Sequence, residues 1–349
     1  CGIFTGLSFL SKFTALLLPP LFLLIALLAG RVRALKPKAA LICLTTALMV
    51  IWAGYFFEYK PLLRHVTRLE EKEALLRRMG GERLVRIGQR VPVPLATFTS
   101  SIAGMIKTRH KGTRAYLMGE WSEKGWWYYY FVAFAIKDTL PFVLLSILAS
   151  VGLFVLRMRR AMKVAFAAVI FGFFAVTLGD KAQAGIRYFL PIFPFLMIAA
   201  AGLVVSYWGR GRVVRLAILT LLSWHAVEAV RTGPDQFSYF NALIGGPSQG
   251  YRYLRDSNID WGQDLEPLAR HLKRLGNPPV VTFLFTPVDP ASYGVVSRLI
   301  TAEEQTQPKA ELYALGAHNI DVIAWAADRK PDAQIGYSIY LYDLRKESS

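Results

Sequence analysis

YFLPIFPFLMIAAAGLVVSY, residues 188–207, carries no charged side chain. Twenty helical residues rise about 30 Å, the thickness of a bilayer's hydrocarbon core. In lipid the backbone has no water to bond, so such a run must close its own hydrogen bonds as a helix. Working outward in both directions, similar stretches recur at Phe13–Gly30, Ala39–Phe57, Thr139–Leu156, Met162–Leu178 and Arg212–Val230. With Tyr188–Tyr207 they make six expected spans. The chain as a whole is 54% hydrophobic with a mean hydropathy of +0.35, and beyond Val230 the apolar runs stop.

Charge gives the bundle an expected direction. The net charge of +17 would suggest nucleic acid on a soluble chain, but much of it lies in short loops. Arg31, Arg33, Lys36 and Lys38 fall in one; Arg157, Arg159, Arg160 and Lys163 in a second; Arg210, Arg212 and Arg215 in a third. These loops alternate with the others, so all share one side, which the positive-inside tendency makes cytoplasmic. The opposite, extracytoplasmic side then receives residues 58–138, 179–187 and everything after 230. The expected organisation is helices over 1–57, an outer loop over 58–138, four helices over 139–230 and an outer α/β domain over 231–349.

Within the outer loop, Leu62, Val66, Leu69 and Leu76 share a helical face, with Glu73 and Arg77 paired on the other. This predicts a short helix on the bilayer surface or packed on the tail. Trp121, Trp126, Trp127 and Tyr128 to Tyr130 crowd before a span, as anchors at headgroup level or as a sugar-stacking platform. In the tail, Leu265, Leu268, Leu272 and Leu275 predict a helix, and Val280–Phe285 and Ile335–Tyr342 predict strands.

The topology places Lys12, Lys137 and Arg187 at the outer ends of three helices, together with Asp138, Asp180 and Lys181. Basic side chains at helix ends either snorkel to the interface or bind an anionic group. Arg187 is expected to lead straight into a helix, whose N-terminal amides would add to its attraction for phosphate. A second constellation runs from Tyr239-Phe240-Asn241 through Gly245-Gly246-Pro247 to Asp256-Ser257-Asn258-Ile259-Asp260-Trp261-Gly262-Gln263-Asp264. Its carboxylates and amides suit sugar hydroxyls or an oxygen-seeking cation, or equally a turn and helix cap. The EF-hand loop pattern fails here, because Gly is missing at its sixth position and Glu at its twelfth. The five histidines do not cluster, and no HExxH, GxSxG or P-loop occurs. Cys1 and Cys43 offer no disulfide framework.

Four segments together carry a resemblance. They are Gly6-Leu-Ser-Phe-Leu-Ser-Lys12; Gly125-Trp-Trp-Tyr running into Lys137-Asp-Thr-Leu-Pro141; Gly185-Ile-Arg-Tyr-Phe-Leu-Pro191; and the stretch from Tyr239 to Leu265. The chain resembles bacterial membrane glycosyltransferases of the GT-C superfamily, in the branch of protein O-mannosyltransferases and aminoarabinose transferases. The resemblance implies a mainly α polytopic transmembrane helix bundle in the bacterial inner membrane, bearing a C-terminal extracytoplasmic α/β domain. It implies a polyprenyl-phosphate-linked sugar donor and a lipid, glycan or protein acceptor, with no nucleic acid. The family's catalytic acid lies in a first outer loop that has no counterpart here, so it is expected upstream of the chain and the fragment alone is expected to be inactive. Lys12, Lys137 and Arg187 are the expected ligands of the donor phosphate. Tyr188, Asn241, Asp256, Asn258, Asp260, Trp261, Gln263 and Asp264 are the substrate-binding candidates. No cofactor or metal ligand set is assigned. A transporter or ligand-binding membrane protein is the alternative. Against it, the spans are nearly free of charge apart from His225 and Glu228.

Overall fold

A computed structural model describes residues 1–28, 30, 36–61, 63, 69–153, 159–233, 235–327 and 329–347. Arg31, Arg33, Leu62, His65, Val66 and Arg157 lie outside the described residues. The chain divides into two units, the first made of 1–111 and 159–172 and the second of 112–158 and 173–349.

In the first unit, helices α1 (Gly2–Ser11), α2 (Leu18–Leu28), α3 (Pro37–Gly54), α4 (Leu69–Arg90) and α5 (Ala96–Lys111) are joined by the strands β1 (Tyr59–Pro61) and β2 (Pro92–Pro94). Helix α1 packs closely on α3 because Gly2 and Gly6 lack side chains. A Cβ at Gly2 would stand 2.6 Å from the Cys43 carbonyl oxygen, and one at Gly6 would stand 2.7 Å from Val50 Cβ. Small residues permit this approach in apolar helix pairs. Part of the helix expected in the outer loop, from Leu69 onward, falls in the long α4, but the expected Glu73–Arg77 pair is replaced by other partners. Arg77 there pairs with Glu82 at 2.7 Å, and Glu73 accepts from Gln89 at 2.6 Å.

The second unit holds β3 (Ala115–Leu117), β4 (Glu120–Ser122), α6 (Tyr129–Lys137) and α7 (Leu140–Gly152). Helix α8 (Arg160–Leu178) contributes to both units; α9 (Phe193–Tyr207), α10 (Arg212–Arg231) and α11 (Leu265–Arg274) complete the longer helices. Among the described residues four helical stretches are long and apolar enough to cross a membrane: Pro37–Gly54, Arg160–Leu178, Leu190–Tyr207 and Arg212–Arg231. Only 6–28% of each is buried inside the protein, which suits helices whose apolar surface faces lipid or a partner. Four of the six expected spans therefore meet the length, and two are shorter among the described residues. Phe13–Gly30 begins as a 3-10 turn, Phe13–Leu17, and continues as the 11-residue α2. In Thr139–Leu156 the helix runs over Leu140–Gly152.

The tail forms a five-stranded mixed sheet in the order β6-β5-β7-β9-β8, from β5 (Val280–Phe283), β6 (Ser297–Leu299), β7 (Leu312–Gly316), β8 (Ala333–Ile335) and β9 (Ile339–Asp343). Strand β5 is parallel to β6 and β7, and β9 is antiparallel to β7 and β8. Helix α11 sets Leu268 and Leu272 against Val280, Leu312, Ala314 and Leu341, as the leucine spacing predicts. Two expectations change. Ile335–Tyr342 is not one strand but the turn and second arm of a hairpin, because Gly336 (φ 54°) and Tyr337 (φ 67°) reverse the chain. The central strand β7 was not expected: its residues are buried throughout, so it shows no alternation to read.

Candidate functional site

The site is assembled in the second unit from three distant segments: the end of α6, the loop before α9, and the turns that open the tail. Asn258, only 1% exposed, joins them. Its Oδ1 accepts from the Ile186 amide at 3.0 Å, and its Nδ2 donates to the Tyr129 hydroxyl at 2.9 Å and the Arg255 carbonyl at 3.0 Å. Its own carbonyl accepts from Lys137 Nζ at 2.6 Å. Ser257 Oγ donates to the Ala184 carbonyl at 2.6 Å alongside. Burial pushes the Tyr129 phenol up to about 12, with the Asn258 hydrogen bond working against it.

Asn241 performs a similar task at the end of α6. Fully buried, it donates from Nδ2 to the Ala135 and Asp138 carbonyls, both at 2.7 Å, and its amide donates to the Ile136 carbonyl at 3.0 Å. Carbonyls in the last turn of a helix have no intrahelical partner, and Asn241 supplies one. Gln183, not singled out in the sequence, pins the second segment: its Oε1 accepts from the Trp126 amide at 2.9 Å and its Nε2 donates to the Asp180 carbonyl at 3.1 Å.

Arg187 differs from its expected setting. It sits in a 3-10 turn, Ile186–Tyr188, followed by a second turn, Leu190–Ile192, before α9 begins at Phe193. Pro191 and Pro194 cannot donate backbone bonds, which delays the α-helix. No α-helical N-terminus therefore adjoins Arg187. Instead aromatic rings hold its guanidinium, 5.1 Å from the Tyr188 centroid and 4.7 Å from that of Trp261, while Nε donates to the Ala184 carbonyl at 3.0 Å. Trp261 is 43% exposed, so this Arg–Trp face meets solvent. Of the aromatic crowd expected at headgroup level, Tyr129 and Tyr130 are buried and Trp127 is exposed; Trp121 lies in β4, donating to Asp321 at 3.2 Å.

Lys137 gives its ammonium to the Phe237 carbonyl at 2.9 Å, to Asn258 and to the face of Phe240 at 4.4 Å. Burial lowers its pKa and raises that of neighbouring Asp138, each charge partly offsetting the other's shift. Lys12 belongs to the first unit, where it ends α1 in an extended conformation. Asp256 adopts φ 57° in the turn before Asn258. Gln263 is exposed and folds back on the turn, accepting from the Trp261 amide at 2.8 Å and donating to the Ile259 carbonyl at 2.8 Å.

Asp260 and Asp264 are both 3% exposed. Asp260 accepts from the Gly262 amide at 2.8 Å, and Asp264 accepts from Ser338 Oγ at 2.5 Å. Asp264 stands at the position before α11 but turns its carboxyl toward Ser338 rather than capping the helix. Burial pushes Asp260 up to about 6 and Asp264 up to about 7, the latter helped by the Asp260 and Asp235 charges. Both native values exceed the unfolded one, so their protonated forms favour folding. That stability is fully present below about pH 4 and falls until about pH 7. For Asp264 the loss is about 4 kcal/mol, for a rise from about 4 to about 7 at roughly 1.4 kcal/mol per unit. Thermal melts of detergent-solubilised protein are expected to show a lower Tm at pH 8 than at pH 5. Asp264→Asn should flatten that slope; an unchanged slope would rule Asp264 out as its source.

Among the described residues no group of three or more His, Cys, Asp or Glu side chains is placed to hold a metal ion. A cavity of about 290 Å³ opens beside the site between α7, α9 and α10, lined by Asp138, Thr139, Phe142, Phe193, His225 and Tyr239 among others. In it Thr139 Oγ1 and His225 Nδ1 share a hydrogen bond of 2.6 Å. Nothing in the sequence marked this cavity, since its walls come from four separate segments. Compared with known proteins, the chain matches no family model, no curated protein and no solved structure.

Proposed function

We propose that the chain belongs to a membrane glycosyltransferase of the GT-C type, which moves a sugar from a polyprenyl-phosphate donor to a lipid, glycan or protein acceptor at the extracytoplasmic face. One observation carries the reading. Asn258 ties together three of the four segments that bear the resemblance, and beside it Arg187 is held between Tyr188 and Trp261. A guanidinium presents a planar fork to phosphate oxygens. Breaking the anomeric bond leaves negative charge on the carrier phosphate, which a positioned cation stabilises. Trp261 offers a ring for a sugar face, and the apolar helices suit a polyprenyl chain.

The test is binding of undecaprenyl phosphate to the purified protein in nanodiscs, followed by tryptophan fluorescence. Arg187→Ala is expected to weaken binding about 10–100-fold, equivalent to roughly 1.4–2.7 kcal/mol, with Arg187→Lys between. In the enzyme with its upstream region restored, membranes given a radiolabelled polyprenyl-phosphate hexose should lose transfer in parallel. Equal affinities for wild type and Arg187→Ala, or no binding by the wild type, would refute the assignment.

A further inference from the structure

In the first unit, α4 is not straight. Gly81 takes φ 67°, and Gln89 bonds Glu73 across 16 positions at 2.6 Å, which a straight helix would hold about 24 Å apart. The helix therefore folds back at Gly81 into two arms. In the second arm Val85 and Gly88 are buried, and the Gly88 carbonyl accepts from the Leu63 amide at 2.9 Å. Arg83, Arg86, Ile87 and Arg90 fall at the spacing of the opposite face, and all four are exposed. Glu82, the arm's one acid, is taken by Arg77 at 2.7 Å. Strand pairing fixes where this arm ends. Pro61 of β1 lies opposite Pro92 of β2, so Arg90 stands near the end of α3, a helix apolar enough to cross a membrane. Just after α3, Phe56 and Phe57 are 93% and 59% exposed and take φ of 53° and 54°. Bulky residues rarely adopt that conformation, and water offers such rings nothing in return.

We propose that the arm Gly81–Arg90 lies on the bilayer surface and docks anionic phospholipid headgroups through Arg83, Arg86 and Arg90. Each guanidinium presents a fork to a lipid phosphate. Ile87 and Val91, 43% and 47% exposed, enter the boundary between headgroups and acyl chains. Phe56 and Phe57 anchor the end of α3 at the same level, where aromatic rings are favoured. Three cations and no acid on one face complement an anionic lipid rather than a zwitterionic one. An arginine near such a surface strengthens attachment about fivefold, so the three together contribute roughly 100-fold. The site lies in the first unit, and the proposal does not rest on the phosphate reading of Arg187.

The experiment uses the whole protein in nanodiscs without polyprenyl donor, so its failure leaves the glycosyltransferase reading untouched. The free cysteines are removed as Cys1→Ser and Cys43→Ala, and Ile87→Cys carries a nitroxide label. In phosphatidylglycerol discs the label is expected to be about fivefold less accessible to a water-soluble nickel chelate than in phosphatidylcholine discs. Raising NaCl to about 0.5 M, which shortens the screening length to roughly 4 Å, should remove most of that difference. Combining Arg83→Gln, Arg86→Gln and Arg90→Gln should do the same, at exposed positions where glutamine keeps the helix. If that variant fails to fold, the lipid and salt comparisons decide alone. Equal accessibility in the two lipids would overturn the proposal, whether the label is wet in both or shielded in both by a protein surface. So would a difference that survives high salt or the triple substitution.

Discussion

Asn258→Ala is expected to destabilise the second unit by about 3–5 kcal/mol and lower its Tm by roughly 10 °C. The substitution leaves the Ile186 amide without its partner and strips the side-chain donor from the Tyr129 hydroxyl and the Arg255 carbonyl, which retain the backbone amides of Gly185 and of residue 258. Alanine also opens space that the surrounding backbone cannot readily fill, since Gly185 lies against the Asn258 side chain, its hypothetical Cβ 3.1 Å from Oδ1. Asn258→Asp keeps an acceptor for Ile186 but removes the amide donor to Arg255. It should recover only part of the loss. Thermal unfolding followed by tryptophan emission checks both variants, and a Tm within 2 °C of wild type, far below the expected 10 °C, would show that Asn258 is not the hub its contacts indicate. If the Arg187 reading holds, the alanine variant should also lose undecaprenyl phosphate binding, because the Ile186–Tyr188 turn loses its anchor.

Arg255→Met should cost about 3 kcal/mol. The Arg255 side chain is 5% exposed, forms an ion pair with Asp321, and lies 4.1 Å over the Tyr116 ring. It also donates to the Tyr251 carbonyl at 3.1 Å and the Tyr116 hydroxyl at 3.3 Å. Burial lowers its pKa, opposed by the surrounding tyrosines. Asp321 is 38% exposed and can rehydrate once unpaired, which keeps the cost at the lower end for a broken buried pair. Arg255→Lys should fail to rescue, because a point-charge ammonium cannot replace a planar fork stacked on a ring. The readout is local as well as global. Trp121 donates to the same Asp321 carboxylate, so its emission should shift when Arg255 is removed. An unchanged Tm and spectrum would sink this account. Asn258 bonds the Arg255 carbonyl, so the two substitutions are expected to be non-additive.

The legibility of this molecule follows the range of its interactions. Residues 190–207 could be read as a helix directly, since the requirement is local: each amide must bond within the run if the surroundings are apolar. The leucines of α11 were legible for the same reason, through their spacing on one face. Where two structures satisfy one local pattern, the sequence was ambiguous. Ile335–Tyr342 suits a strand or a hairpin, and the pairing of β9 with both β7 and β8 chose the hairpin. The motif from Asp256 to Asp264 pointed to polar chemistry but not to partners. Asn258 meets Tyr129 across 129 positions and Asp264 meets Ser338 across 74.

Taken by itself, the sequence determined that the chain is mainly helical, with helices apolar enough for a bilayer, because hydropathy and backbone hydrogen bonding act within about twenty consecutive residues. Only the tertiary structure decided what the polar residues do. It turned Asn241 and Asn258 inward as links between segments, set Arg187 against Tyr188 and Trp261, and left Tyr239 and Asp138 facing a cavity. A polar side chain's role depends on which distant groups reach it, and no local periodicity records that.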